Sequence, residues 1–452
     1  MACCYQQIKI ILLTSLITLL SGCSAFVGHK ETLDEYEQQL INTDCSFTNI
    51  NSQIKSDPLL WSLNGGALAR NCLQYEKSIT YFDQAEAIIK EQEEALELIG
   101  MGRSINSILV NNNINDYQSQ NYEKIMINVY KALNFMSLDD FDNARVEFHR
   151  ALDRQRRAKE YFEDEILAAT EKLEESQYAY SSDHLQAESV VLQNYQGNLT
   201  PAVVYPDFVN PLATYLSAIF FYIEGDYDLA SQYFKETQSM LPGHAQVTQD
   251  YQLADKADNS RQKPQQRYVW IVYENGLGMI KGSFYYSFPS FLFTDKIIAT
   301  SINLPTIYKR SGSYPYLSIG KTKTSEIANM DSIVQLEFNK RLPAIAAEAI
   351  LNMIAKSVIQ YTLEEELGDF GGKWIGFFYQ LATDTTDIRQ WRALPKDFQV
   401  SRVALDGSPI YIYSPQGDMI ANIDTLSPEH DAIIYIRSDR QNHNIIHVIQ
   451  KQ

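Results

Sequence analysis

Three stretches of this chain carry the same six-residue signature at identical intervals, and that repetition restricts the fold more than any other feature. The first runs Gly66, Ala69, Tyr75, Ser78, Phe82, Ala85; the second Ala132, Phe135, Phe141, Ala144, Phe148, Ala151; the third Ala218, Phe221, Tyr227, Ala230, Phe234, Thr237, closed by Pro242. Small residues at helical spacing let two helices approach closely, and the aromatic that opens each second half fills the crossing. In the third copy Gly225-Asp226-Tyr227 supplies a turn and Pro242 a stop, so each copy predicts a helical hairpin.

Small and aromatic side chains alternating in this way resemble the tetratricopeptide repeat, whose unit is about 34 residues. The copies lie roughly two and two and a half repeat lengths apart, so further hairpins or insertions are expected between them. The segment Leu96 to Ile108 has the pattern of one such helix. The run from Asp153 to Leu173 reads as a polar helix, and Tyr195 to Pro211, with four Gly or Pro residues, as an irregular connection. Residues 251–266 show no apolar periodicity and are predicted to be a linker, which places a helical-repeat domain at 51–250.

Beyond the linker the residue usage changes. Tyr268 to Tyr273 reads as a buried strand, and Phe284 to Ile302 as another strand or two. Helical periodicity returns at 325–361, with Pro343 suited to the first turn of a second helix whose apolar residues run from Ile345 to Ile359. Five strand-like pieces follow: Phe398 to Val403, Pro409 to Tyr413, Met419 to Ile423, Ala432 to Ile436 and Asn444 to Ile449. Residues 267–452 are therefore expected to form a mixed α+β domain with a mainly antiparallel sheet, so that the fold class is tetratricopeptide-like helical repeats followed by an α+β unit.

The amino terminus reads as a secretion signal over residues 1–22. Lys9 precedes an apolar run from Ile10 to Leu20 that is shorter than the roughly 20 residues a membrane-spanning helix needs. Leu20-Ser21-Gly22-Cys23 resembles a lipoprotein processing box, which implies acyl chains on Cys23 and, with Ser24 following, transfer to the outer membrane. Several acyl chains give stable anchorage, at about 0.8 kcal/mol per buried CH₂. Residues 23–50 are then expected to be a tether. Cys45 and Cys72 either form a disulfide in the oxidising periplasm or remain buried thiols. A formal net charge of -18 argues against nucleic acid as a partner.

A second resemblance is carried by longer segments: Tyr122-Glu123-Lys124 through Asn134, Asp140 to Glu147, Asp153-Arg154-Gln155, Tyr273-Glu274-Asn275-Gly276, and Asp387 to Pro395. In these the chain resembles a family of gammaproteobacterial outer-membrane lipoproteins with tetratricopeptide-like repeats. The genes of that family often neighbour a lipoprotein activator of peptidoglycan synthases. The resemblance implies attachment to the periplasmic face of the outer membrane and partners among envelope proteins or peptidoglycan. Where the family carries an arginine before the apolar helix, this chain has Glu348.

The chemistry-bearing candidates are few. Glu274 at a strand end, and Arg389 with Trp391, are candidate contacts for a ligand or partner, with a turn carboxylate and a structural ion pair as the alternatives. His443 and His447 stand too far apart on a strand to share a metal, and neither Lys281-Gly282-Ser283 nor Gly371-Gly372-Lys373 has the longer loop that cradles phosphate. No catalytic constellation, metal or cofactor is expected. The sequence predicts a periplasmic scaffold or assembly factor; the alternatives are a peptidoglycan-binding regulator or enzyme, and a subunit of a secretion, pilus or flagellar-base complex.

Overall fold

The computed structural model describes residues 24–100, 117–158, 210–260, 264–289, 299–342, 387–424 and 426–451. Cys23 and the signal segment lie outside these residues, as do residues 101–108 of the helix expected over 96–108, the polar helix beyond 158, the connection at 195–209, the apolar helix from 343, and Gly371-Gly372-Lys373.

The first half is helical. An amino-terminal pair, α1 (Ser24–Ile41) and α2 (Thr48–Gln53), precedes α3 (Pro58–Asn71) and α4 (Tyr75–Gly100). Next come α5 (Asn121–Ser137) and α6 (141–158), then α7 (Pro211–Glu224), α8 (Tyr227–Met240) and α9 (Ala245–Ser260). Each repeated signature spans the turn of one helix pair. Sixteen of the eighteen positions are buried in the cores between helices, among them Ala69, Phe82, Ala132, Phe148, Ala218 and Phe234. Gly66 shows why a small residue is needed: a Cβ there would lie 2.4 Å from the ring of Phe82, and Ser78 Oγ donates to the Gly66 carbonyl at 2.7 Å. Gly225 takes the left-handed conformation, φ +83, that ends α7, and the next amide reaches back to the Phe221 carbonyl at 2.8 Å.

Two starts are set locally. Asp57 accepts from Leu60 N at 3.3 Å with Pro58 in the first turn of α3, and Asn210 accepts from Leu212 N at 3.1 Å with Pro211 in the first turn of α7.

The second half is built on a five-stranded sheet in the order β11-β10-β1-β7-β6. Its strands are β1 (Arg267–Asn275), β6 (Ser325–Asn329), β7 (Asp397–Leu405), β10 (Ala432–Arg440) and β11 (His443–Gln450). Only β1 and β10 run parallel; the other three pairings are antiparallel. A four-stranded antiparallel sheet, β4 (Ser318–Ile319), β5 (Thr322–Lys323), β8 (Ile410–Tyr413) and β9 (Met419–Ile423), packs on one face. β2 (Ile280–Pro289) and β3 (Ala299–Tyr308) form a separate two-stranded ribbon.

Strand β1 is buried on both sides, which explains its nearly unbroken apolar sequence. Trp270 and Val272 join the core shared with the helices, whereas Val269, Ile271 and Tyr273 join the core under the four-stranded sheet. The molecule is thus layered as helices, five-stranded sheet and four-stranded sheet.

Three expectations are corrected. Residues 23–50 are not a free tether from Ser24 onward: Leu33, Tyr36 and Leu40 in α1 and Ile50 in α2 are fully buried, and Tyr36 Oη donates to the Asn64 carbonyl at 3.0 Å. Their spacing is a short helical stripe overshadowed by the acidic residues around it. Residues 251–260 are not linker but the body of α9, whose buried stripe, Val247, Asp250, Ala254 and Ala257, is too small and too polar to register as hydrophobic periodicity. The helices and the sheet consequently share one core. The first helix of the hairpin expected from 325 begins later: 325–329 is β6, and Asn329 Oδ1 accepts from Ser332 N at 2.9 Å at the start of α10 (330–342).

Cys45 and Cys72 are joined by a disulfide with Cα atoms 5.9 Å apart, fastening the segment between α1 and α2 to the end of α3. With its cysteines 27 positions apart, opening it is expected to lower unfolding free energy by about 3.5 kcal/mol, measured by urea denaturation with and without reductant. Burial of Leu33, Tyr36 and Leu40 contributes about 1.5–3 kcal/mol each. Reduction alone should therefore leave α1 docked, and limited proteolysis within α1 should not accelerate in reductant below the unfolding transition.

Candidate functional site

Glu274 occupies the carboxyl end of β1 and faces the helices, where it is fully buried. The parallel register sets it opposite Arg437 on β10, and its carboxylate is paired with Arg437 Nη1. Tyr130 of α5 donates to it at 2.8 Å and Tyr435 of β10 at 2.7 Å. Arg437 also pairs through Nε with Asp439 at 2.7 Å and donates from Nη2 to the Ala393 carbonyl at 2.9 Å. Burial opposes charge on Arg437, but Asp439 and Glu274 outweigh it and push its pKa up. Burial, reinforced by Glu274, raises the phenols of Tyr130 and Tyr435 well above their ordinary range, so both remain donors. Arg70 stacks over both rings, 5.1 Å and 4.7 Å from their centroids, and bonds Asn134 at 2.6 Å.

Trp391 joins the same cluster from the other side. Its ring meets Tyr130 and Phe82 edge-on, with centroids 5.8 Å and 5.6 Å away, and its amide donates to Glu123 at 3.1 Å. Glu123 also accepts from Tyr117 Oη at 2.6 Å and from Gln120 N at 2.9 Å, and burial raises its pKa despite these donors. Arg389 lies apart from Glu274: it binds Asp57 at 2.8 Å and Asp387 at 2.8 Å, tying the 387–391 segment to the residue that caps α3. Burial works against ionisation of Asp387, but the hydrogen bonds and charge of Arg389 hold its pKa below the usual value; for Asp57 burial prevails and raises it.

Glu274, Arg389 and Trp391 are 0 %, 3 % and 1 % exposed. As ligand contacts they are therefore corrected to parts of a polar seam that binds the helical layer to the sheet. Sequence reasoning missed their partners Tyr130, Tyr435, Arg437, Asp57 and Glu123. Those assignments needed the parallel register of β1 with β10 and the docking of α3 and α5, which no local pattern encodes.

His447 rests on the ring of Tyr75, centroids 4.9 Å apart, and His443 Nε2 meets Thr43 Oγ1 at 2.9 Å. Among the described residues no group of three or more His, Cys, Asp or Glu side chains could hold a metal ion.

At the far end of the molecule the α7–α8 turn and the beginnings of β1 and β10 enclose a cleft of ≈ 260 Å³. Its charged lining is Glu224, Arg267, Glu429, Asp431 and Lys451, with the ring of Tyr227 beside them. Lys451 Nζ lies 2.7 Å from Glu224. Arg267 Nε donates to the Glu429 carbonyl at 2.9 Å, and its Nη1 stands 3.6 Å from Asp431.

No family model, curated protein or solved structure matches this chain.

Breaking the seam should unfold the protein rather than spare the fold and abolish binding. Arg437→Met leaves two buried carboxylates without their cation and is expected to cost about 3–5 kcal/mol by chemical denaturation. A second check uses His447, whose pKa is lowered to about 4 by burial and by Arg70. Its folded pKa lies below the unfolded one, so its contribution is complete above about pH 6.5 and declines as pH falls toward 4. His447→Phe should flatten stability between those limits by about 1–3 kcal/mol, compared by urea melts at each end.

Proposed function

We propose that this protein is a scaffold of the cell envelope, held on the periplasmic face of the outer membrane by acyl chains on Cys23. In this reading its helical hairpins are tetratricopeptide-like and present a surface to an envelope protein. The observation that carries the proposal is the docking of α1. That helix is described from Ser24, next to the proposed anchor, and its Leu33, Tyr36 and Leu40 belong to the core. At 1.5 Å per residue, roughly 14 Å of helix separates Ser24 from Leu33. Arg392 and Arg310 clamp α1 through Asp34 at 2.5 Å and Glu37 at 2.8 Å. A lipid at residue 23 would thus hold the whole body at a short, fixed reach from the bilayer.

The disulfide between Cys45 and Cys72 supports an oxidising compartment. Among the described residues no helix is long and apolar enough to cross a membrane. The first helices of the pairs are not free to receive a partner, because α3, α5 and α7 are almost wholly buried. The second helices are different: α8 buries only Ala230, Ser231, Phe234, Thr237 and Met240, and on α6 Val146 is 45 % exposed. We therefore assign partner binding to the outer face of α6 and α8.

Cys23→Ser is expected to abolish incorporation of a labelled fatty acid and to move the protein from the outer-membrane to the soluble periplasmic fraction. Unchanged fractionation without labelling of the parent protein would defeat the anchor. A photo-crosslinking residue at Val146 should capture one defined envelope protein in cells, and capture equal to that from an exposed control site in β9 would defeat the assignment of the surface.

A further inference from the structure

The cleft beside the α7–α8 turn gathers charges from separate stretches of the chain. Glu224 comes from the end of α7, Arg267 from the start of β1, Glu429 and Asp431 from the approach to β10, and Lys451 from beyond β11. Two of the ionic contacts leave capacity unused. Arg267 spends Nε on a carbonyl and meets Asp431 only at 3.6 Å, beyond hydrogen-bond reach. Its remaining guanidinium N–H groups make no hydrogen bond among the described residues, although the side chain is only 12 % exposed. Such a guanidinium is suited to a carboxylate, which it can bind through two parallel N–H groups.

Across the cleft, Lys451 Nζ sits on Glu224 at the carboxyl end of α7, where the helix dipole favours a cation. Arg145 Nη2 stands 3.9 Å from the same carboxylate, and its Nη1 binds Asp226 at 3.1 Å, so Glu224 keeps its place when Lys451 leaves. The Lys451 side chain is 44 % exposed, and exposed ion pairs of this kind contribute little. Its ammonium is therefore replaceable.

The balance of charge and the size of the space narrow the ligand. Arg267 and Lys451 line the cleft together with the acidic Glu224, Glu429 and Asp431 and with His430, and Asp431 also accepts from Tyr268 N at 2.7 Å; this excess of acidic residues penalises a phosphate dianion but accepts a molecule bearing one charge of each sign. The volume of ≈ 260 Å³ falls below the ~300–1,000 Å³ usual for drug-sized ligands, and so fits a group of amino-acid size. The geometry points to a binding site for a small zwitterion, an amino acid or the uncapped end of a short peptide. Its carboxylate lies on Arg267, and its ammonium displaces that of Lys451 from Glu224.

The test is calorimetric titration of the full-length protein in detergent with L-alanyl-L-alanine, its N-acetyl and C-amide derivatives, and inorganic phosphate. The free dipeptide should bind saturably and each blocked form at least ~10-fold more weakly, the loss expected for one charged contact. Glu224→Gln and Arg267→Gln should show the same loss at an unchanged melting temperature. Lys451→Met removes the competing ammonium and should tighten binding, a result independent of whether Arg267→Gln folds. No saturable binding of the free dipeptide, equal binding of a blocked form, preference for phosphate, or weaker binding by Lys451→Met would each overturn the proposal. None of these outcomes bears on the anchor at Cys23.

Discussion

The ion pair between Glu274 and Arg437 is the contact on which the other layers depend. It joins the only parallel strand pair of the five-stranded sheet, β1 and β10, and lies on the face that meets the helices. A slip of one residue between these strands would turn Arg437 toward the apolar face occupied by Tyr273 and Ile436, leaving Glu274 buried and unpaired. Buried ion pairs are poor sources of net stability, because desolvation offsets much of their attraction. Here the pair is completed by Tyr130 from α5, Tyr435 from β10 and Asp439, so a single arrangement satisfies all of these groups together. Its contribution is the register, and through Tyr130 the seating of the helices.

Other polar contacts repeat this solution between the two halves of the chain. Asp250 of α9 binds Arg402 of β7 at 2.7 Å and accepts from Tyr215 of α7. Glu337 of α10 accepts from the amides of Asn121 and Tyr122 at the start of α5. In each case one side chain reaches a group far along the sequence, so the helical and sheet halves stand or fall as one core. Under the proposed function, that rigidity lets an anchor at one end of α1 determine where the outer faces of α6 and α8 sit above the membrane.

Much of the fold was legible. The repeated small and aromatic positions marked three helical hairpins because close helix packing admits few residues, as the Phe82 ring against Gly66 shows. The later strands were legible from alternation and from Gly and Pro punctuation. α9 was not, since a stripe of Val247, Asp250, Ala254 and Ala257 carries little hydropathy. α1 was hidden behind its acids, and β6 behind a helical periodicity that begins only after Asn329.

The candidate site divides along the same line. Local pattern identified Glu274, Arg389 and Trp391 as residues with something to bind, and left the bridging of Cys45 to Cys72 open. What they bind was decided in three dimensions, because Arg437, Asp57, Tyr130 and Glu123 are distant in sequence and reach them only when strands pair and helices dock. The sequence by itself determined which segments are helix and which are strand wherever one periodicity dominates, since those preferences act between near neighbours. Only the tertiary structure decided that the charged side chains face inward, because the cost of burying a charge is offset solely by partners that folding brings to it.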